Sequence, residues 1–559
     1  MATEFSVREI PFSRAGAWFG LSPVVGLARY AQDVHVVSHR NGMHAVLSLT
    51  PARPVEIIAE PAVLTWRSGE SQIRAVFASP DTLRISGSGL GMRIAAAERT
   101  LTPFTGTYFF AEPSGGAVFT SYETGHRFRL TVLSGQAEHV GAEELATADR
   151  AVVLGEEPWE VVIEEITTAL PPFRSSTGFT DAVSAAREAF GRFTDAVAPA
   201  RAPAAELACY VIWSATVDPA GFVTRPAVLM SKHWMNKVWS WDHCFNALAL
   251  APGAPELAWH QFQVVFDHQD PHGALPDSIT HSEVLRNFVK PPVHGWTLSR
   301  LRERLPGGLP DPALAYRQLS EWTAFWLDHR RAPGRRLPYY EHGNDSGWDN
   351  STVFAADRLV ESADLAAFLV LQMKELAVLA TELGDTAPWA ERADEMLAAL
   401  LEELWDGDRF VSRGVVSGEL RATASLLDLM PVVLGEHLPR EIFDRLCQGV
   451  AEHLTSVGPA TELPSSPYYE ADGYWRGPVW APATVLIEDG LRRGGAVELA
   501  GEVSARFRAT CEKSGFAENF DALTGQGLRD RAYTWTASAY LLLSGGDTAA
   551  AAGTSAPAS

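Results

Sequence analysis

One change of hydrophobic period divides this chain. Up to about residue 170, apolar residues come in short β-branched or alternating runs, at 34–37, 45–49, 55–58, 73–77, 82–85, 128–132 and 161–166. Turn signals such as Asn41-Gly42, Ser114-Gly115-Gly116 and Thr124-Gly125 separate them. Short strands recurring between such turns predict an antiparallel β-sandwich over 1–172. Within it, Gly87-Ser-Gly-Leu-Gly91 leads into another strand-like stretch and not into a helix, which argues against a phosphate-cradling loop. The stretch 171–178, Pro-Pro-Phe-Arg-Ser-Ser-Thr-Gly, then breaks the pattern, and 173–179 reads as a linker.

Beyond the linker the period becomes helical. The clearest stripe places Leu365, Phe368, Leu369, Gln372, Leu376, Leu379 and Leu383 at spacings of three and four, with Gly384 placed to cap the end. Only Gln372 interrupts its apolar face. Thirteen helices are expected, at 180–197, 204–216, 240–250, 255–268, 291–304, 312–331, 364–383, 387–405, 421–436, 439–455, 478–493, 495–513 and 533–543, against the twelve that a double ring of six helix pairs would use. The helical domain is therefore placed at 180–545, and the Gly-, Ala- and Ser-rich end, 546–559, reads as a disordered tail.

Composition excludes more than it identifies. The 559 residues carry 68 acidic and 46 basic side chains, a formal charge of -22, with 46% hydrophobic residues. That apolar content is too high for a disordered solvating chain, and the acidic balance argues against nucleic-acid or anionic-membrane binding. No run reaches the ~18 apolar residues of a membrane span, and no secretory signal is visible at the start. Cys209, Cys244, Cys447 and Cys511 lie far apart without a CxxC pair, as buried thiols in a reducing compartment would. A cytoplasmic location is the expectation.

Tryptophan is distributed unevenly: three of 17 lie in the first 180 residues and 14 follow. Core packing in a helical domain explains some of them. Indoles also stack on the apolar faces of pyranose rings, so several could line a sugar-binding cleft. Five long loops support this, because they combine aromatics with acids: 239–245, 270–296, 339–351, 466–480 and 515–535. Loops of that length and composition are uncommon unless they build a site.

Carboxylates beside aromatics suit glycoside hydrolysis. One carboxyl must stay protonated to deliver its proton to the leaving oxygen, while an ionised one acts on water or on the anomeric carbon. Trp348 could desolvate Asp349 and raise its pKa in this way. A helix cap or a surface charge is the plain alternative for any one acid, and residue types alone do not pick the pair.

Five motifs do. Trp-Asp-x-x-Phe at 241–245, Lys-Pro-Pro at 290–292, Ser-Gly-Trp-Asp-Asn-Ser at 346–351, Tyr-Trp-Arg-Gly-Pro-Val-Trp at 474–480 and Ala-Glu-Asn-Phe-Asp at 517–521 together resemble glycoside hydrolase family 63, in order along the chain and over roughly 180–545. The resemblance implies an all-α (α/α)6 barrel, or toroid, behind the N-terminal sandwich. It also implies an inverting, exo-acting α-glycosidase releasing a terminal sugar, glucose foremost, from a short oligosaccharide or small glycoside. Asp349 then resembles the general acid and Glu518 the general base. Trp241, Asp242, Phe245, Lys290, Trp348, Trp475, Arg476, Trp480 and Trp535 would line the sugar subsite. No cofactor or metal is implied, and the expected partner is a small carbohydrate.

Alternatives remain. An ion pair holding the helical domain together could account for Asp242 and Arg476. Asp345 is the nearest rival acid, with Glu470, Asp472 and Asp530 weaker. His268 and His272 are four apart, but Pro271 between them disfavours a helical metal site. Trehalase-like enzymes and phosphorylases share the toroid, and a non-catalytic carbohydrate-binding protein would keep the aromatics while losing one acid.

Overall fold

A computed structural model describes residues 3–113, 115–141, 145–168, 171, 173–175, 177–198 and 202–553. Ser114 of one expected turn, Pro172 and Ser176 beside or in the expected linker, and 554–559 of the expected tail lie outside the described residues. The chain forms two compact units. The first comprises Met1–Ala196, Cys209–Lys237 and Thr280–Glu283, and the second comprises Val197–Ala208, Val238–Ile279 and Val284–Ser559.

The first unit holds two antiparallel sheets. A six-stranded sheet runs in the order Phe19–Gly26, Arg29–Ser38, His44–Pro51, Met92–Ala96, Ala151–Leu154, Ala137–Val140. An eight-stranded sheet runs in the order Glu56–Glu60, Val63–Ser68, Ser71–Ser79, Thr82–Ser88, Trp159–Ile166, Arg127–Ser134, Ala117–Ser121, Thr107–Ala111. Alternate residues of both contribute to one core, with Leu21, Val36, Leu47 and Ile94 from the first sheet and Trp66, Phe77, Ile85, Phe119 and Ile163 from the second. The glycine-rich run at 87–91 is explained by packing. Trp159 pairs with Gly87 across the ladder, and a Cβ at Gly87 would meet its indole Cε2 at 2.3 Å. The indole Nε1 donates to the Leu90 carbonyl at 3.1 Å. Helix α1 (Phe179–Val197) adds a small cluster, laying Phe179, Ala182, Val183 and Ala186 on Ala62, Val63 and Val76.

Helix α2 (Ala205–Ala215) is followed in the second unit by α3 (Asp242–Leu250), α4 (Pro255–Gln263), α5 (His294–Arg304), α6 (Pro312–His329), α7 (Gly343–Ser346), α8 (Ala363–Leu383), α9 (Trp389–Leu404), α10 (Arg440–His453), α11 (Ala481–Arg493), α12 (Val497–Ser514) and α13 (Thr534–Gly553). Each expected helix has a counterpart; α13 runs past the expected end at 543 to Gly553, over the first residues of the expected tail, and two others differ in kind. The segment expected over 255–268 ends as α4 at Gln263 and resumes as a 3-10 turn, Phe266–His268. The one expected at 421–436 is a 3-10 segment, Leu426–His437. Pro431 inside it has no N–H to give a helical bond, and Gly435 breaks helical geometry at φ 51°, ψ -116°.

Packing among these helices follows a circuit. Helix α3 packs on α5, α5 on α8, α8 on 426–437, 426–437 on α11, α11 on α13, and α13 back on α3. Helices α4, α9, α10 and α12 back α3, α8, 426–437 and α11 in turn, and α6 also packs on α8. Gln372, the polar break in the α8 stripe, is fully buried and ties three helices. Its Nε2 donates to Thr323 Oγ1 of α6 at 2.9 Å, and its Oε1 accepts from the Gly295 N–H of α5 at 3.1 Å. Gly384 ends α8 in the left-handed conformation at φ 72°. Among the described residues no helix is long and apolar enough to cross a membrane. Among the described residues the four cysteines form no disulfide; Cys209, Cys244 and Cys511 are buried and Cys447 half-buried.

Candidate active site

Glycine and serine shape the loop that carries Asp349. Ser346 Oγ donates to the Gly343 carbonyl at 2.7 Å and accepts from the Trp348 N–H at 3.1 Å, fixing the turn that leaves α7. Gly347 then takes φ 73°, and a Cβ there would meet Trp241 Cζ2 at 2.5 Å. Only glycine lets this loop close on the indole that precedes α3. Asn350 joins the loop to the 474–480 loop, its Nδ2 donating to the Gly473 carbonyl at 3.0 Å and its Oδ1 accepting from the Trp475 N–H at 2.9 Å.

The aromatic residues of the motifs form one cluster. Trp475 stacks on Trp480 with centroids 4.1 Å apart and planes 6° from parallel. Trp348 lies 4.7 Å from Trp475, and Trp241 meets Trp535 edge-on at 5.5 Å, as does Trp480. Phe245 lies against Trp241 and Trp296. Trp475 and Trp480 thus cover one face of each other. Other late tryptophans are plain core: Trp322 and Trp326 of α6 are fully buried and pack together edge-on at 5.3 Å.

Glu518 enters from a short ribbon in which Asn519–Phe520 pairs with Gly527–Leu528. Reciprocal bonds between Phe520 and Val479, at 2.8 and 3.0 Å, dock that ribbon on the strand leading into Trp480. The Glu518 N–H donates to the Asp530 carbonyl at 2.7 Å.

Three acids in this enclosure hold their protons unusually well. Asp242, the first residue of α3, is 3% exposed, and its Oδ2 has no hydrogen-bond partner among the described residues. Burial pushes its carboxyl up to about 8, against the pull of Lys290, while Asp277 and Asp349 push the same way as burial. Glu518 is 1% exposed with Oε2 likewise unpartnered, and burial, then the charge of Asp530, pushes it up to about 8. Arg529 opposes that rise, and Asp349 adds to it. Asp349 itself is only half-buried, yet enclosed enough that desolvation raises its pKa. Lys290 opposes the rise, Asp277 reinforces it, and the nearby Tyr474 hydroxyl also opposes it.

Lys290 reaches this group from the Lys-Pro-Pro loop. Its ammonium sits 2.8 Å from Asp277 and donates to the Asn344 carbonyl at 2.7 Å. Arg476 is placed otherwise. It pairs with Glu470 at 2.8 Å, so the alternative of an Asp242–Arg476 ion pair is not what the structure holds. The rival acids also have other partners. Asp345 is buried and accepts from Arg330 at 2.7 Å, the Glu341 N–H at 2.9 Å and the Val289 N–H at 3.1 Å, which makes it a pin between loops. Asp472 pairs with Arg529 at 2.7 Å.

Asp277, Tyr474, Arg529 and Tyr533 interact electrostatically with Asp242, Asp349 or Glu518 but are not among the site residues expected from sequence. Tyr474 opens one of the five motifs, and Asp277 and Tyr533 lie in the aromatic and acidic loops, which was the available signal. Arg529 carried none. No group of three or more His, Cys, Asp or Glu that could hold a metal occurs among the described residues.

The geometry is that of a cluster of carboxyls enclosed by indoles. Residues 235–536 match the mannosylglycerate hydrolase MGH1-like glycoside hydrolase domain. A mannosylglycerate hydrolase of Rubrobacter radiotolerans is 25% identical over 417 residues, covering 57% of this chain and 92% of that protein. One of Thermus thermophilus is 26% identical over 385 residues, covering 54% and 92%. The crystal structure of a family 63 mannosylglycerate hydrolase from Thermus thermophilus, in complex with Tris and D-glycerate, shares the fold at a TM-score of 0.51 and 24% identity, covering 60% of this chain and 98% of that one. The chain belongs to the mannosylglycerate hydrolase MGH1-like family and is a glycoside hydrolase of the family 63 type.

Proposed function

We propose that this enzyme is an inverting, exo-acting α-glycosidase in which Asp349 protonates the glycosidic oxygen and Glu518 takes a proton from the attacking water. The observation that carries this is one aromatic enclosure holding two carboxyls in different settings. Asp349 is half-buried with Tyr474 nearby, whereas Glu518 is buried with one oxygen unpartnered. Desolvation keeps a proton on the first, as a general acid requires. The raised pKa of the second makes its ionised form a strong base toward water. Asp242 and Lys290 are the polar anchors for sugar hydroxyls, with Trp241, Phe245, Trp348, Trp475, Trp480 and Trp535 forming the apolar wall and Arg476 bracing the loop through Glu470. The circuit of helix neighbours in the second unit supports an (α/α)6 toroid around this pocket.

The relatives named above are mannosylglycerate hydrolases, so an α-mannosyl glycerate is the first substrate to offer. Glucose at the same position is the second reading, favoured by a structural relative described in complex with glucose. The test is a panel of α-mannosyl and α-glucosyl glycerates and disaccharides, followed by proton NMR of the fresh product. Release of the β-anomer first supports inversion, and release of the α-anomer first overturns it. A phosphate requirement would move the enzyme to the phosphorylase class. Binding of these sugars without turnover would leave a carbohydrate-binding protein.

A further inference from the structure

Two non-glycine residues of the site have left-handed backbones: Tyr474 at φ 64° and Arg529 at φ 58°. A side chain in that region costs roughly 1–2 kcal/mol, so both persist only because their surroundings hold them. They hold each other. The Arg529 guanidinium lies over the Tyr474 ring, 4.9 Å from its centroid. Nη1 is fixed by Asp472 Oδ1 at 2.7 Å and Asn519 Oδ1 at 3.1 Å, and Nη2 by the Asp472 carbonyl at 3.3 Å. On its other sides the Tyr474 ring meets Trp480 edge-on at 5.0 Å, and the Trp480 Nε1 donates to the Tyr474 carbonyl at 2.8 Å. Asn350, next to Asp349, bonds the residues on either side of Tyr474, Gly473 and Trp475, at 3.0 and 2.9 Å, which brings Tyr474 beside Asp349, whose pKa its hydroxyl lowers.

We propose that Arg529 is a positioning residue, which clamps the Tyr474 ring so that its hydroxyl holds the Asp349 carboxyl in the orientation for proton delivery. This rests on the reading of Asp349 as the proton donor. A carboxylic acid that accepts a hydrogen bond on one oxygen presents the proton of the other in a fixed direction, and Tyr474 supplies that bond. Asn519 directly follows Glu518, so the same guanidinium also ties the ribbon carrying the second carboxyl to the clamp over the first.

Leaving-group dependence tests this, because only a poor leaving group needs the proton. With an α-glycosyl fluoride, the C–F bond breaks, fluoride departs unprotonated, water attacks the anomeric carbon and Glu518 takes the water's proton. The α-glycerate and α-fluoride of the same sugar, mannose and glucose both run, are compared across variants. Tyr474→Phe should lose about ten- to a hundredfold in kcat/KM on the glycerate, the scale of a displaced catalytic group, and less than about threefold on the fluoride. Arg529→Gln should show a similar excess of glycerate loss over fluoride loss, on top of a loss common to both substrates because Arg529 also lowers the Glu518 pKa. Arg529→Lys, which keeps the cation over the ring, should recover part of the loss. In the Tyr474→Phe background, Arg529→Gln should add little to the glycerate-to-fluoride ratio, since both remove one device. Equal losses on the two substrates, or fully multiplicative effects, would overturn the proposal. Asp349→Asn is the control. A fluoride-sparing loss there, without one in Arg529→Gln, overturns the positioning role alone. Full glycerate activity in Asp349→Asn overturns the donor assignment on which it rests.

Discussion

The sheets of the first unit and the site of the second handle buried acids differently. On the eight-stranded sheet, the buried Glu164 lies 2.6 Å from Arg129, and the half-buried Glu160 accepts from Arg84 Nε at 2.8 Å. The buried Glu165 has no hydrogen-bond partner for Oε1 among the described residues and its pKa is raised by burial, yet it still has Arg40 at 3.7 Å, so each of the three has a guanidinium. In the second unit, Asp242 and Glu518 are as deeply buried, yet each keeps an oxygen without a hydrogen-bond partner and is pushed up to about 8. Paired charge fixes a fold, whereas strained, proton-holding acids in a cleft mark chemistry. Asp345 and Asp349 repeat the contrast within one loop: the first is saturated by three donors and the second faces the pocket.

The largest effects should come from neutralising the acids read as catalytic. Asp349→Asn and Glu518→Gln should each lower kcat on the order of 10²–10⁴-fold. Thermal unfolding should show both still folded, because removing a desolvated charge does not strand a partner. Near-normal turnover in either variant would break the comparison on the helical side.

On the sheet side the damage should fall on stability. Arg129→Met leaves Glu164 buried and uncompensated, at a cost of about 3–5 kcal/mol in denaturant unfolding. Adding Glu164→Leu, which makes both positions apolar, should recover most of it. Turnover per folded molecule should not change in either variant. If Arg129→Met is silent in unfolding, the distinction between paired and unpaired burial has no energetic content here.

Gly347→Ala should sit between these extremes, because the same residue serves backbone and site. A positive φ and a Cβ placed 2.5 Å from Trp241 cost together about 2–4 kcal/mol. Turnover should fall with stability, as the Asp349 loop is forced off the indole. Activity measured well below the midpoint of unfolding checks that the second effect is not only the first.

Much of this was legible in the chain, and the omissions have physical causes. All seven strand runs read from alternation or β-branching fall on observed strands, the run at 55–58 starting one residue early. Others escaped because their pattern is not alternating: Phe19–Gly26 carries Pro23 and two glycines, and Thr107–Ala111 has Phe109 and Phe110 side by side. Helical period survived even where the helix did not, since 426–437 buries Leu426, Leu427, Met430 and Val433 on a 3-10 segment. The motif acids stand out in the sequence because local spacing marks them. Tyr474 beside Asp349 does not, because that approach spans 125 residues and depends on a left-handed tyrosine, a conformation that sequence normally flags only through glycine or asparagine.

The smallest predicted effect is the most discriminating, because it perturbs one acid through another. Asp530 lies buried beside Glu518, and its charge is the largest contribution after burial to holding the Glu518 proton. Asp530→Asn removes that charge, so the Glu518 pKa should fall. A general base works only when ionised. At pH values below both catalytic pKa values, its ionised fraction limits kcat/KM, and the variant should gain there by roughly three- to tenfold, the equivalent of half to one pKa unit. At pH values above both, Glu518 is already ionised and the protonated fraction of Asp349 limits the rate, so no gain should appear. The signs hold whichever carboxyl has the higher pKa, although the breakpoints belong to the coupled pair and not to either residue. A loss confined to the alkaline side, with no gain at acid pH, would instead mean that Asp530 acts on the proton donor, and would exchange the roles given to the two carboxyls.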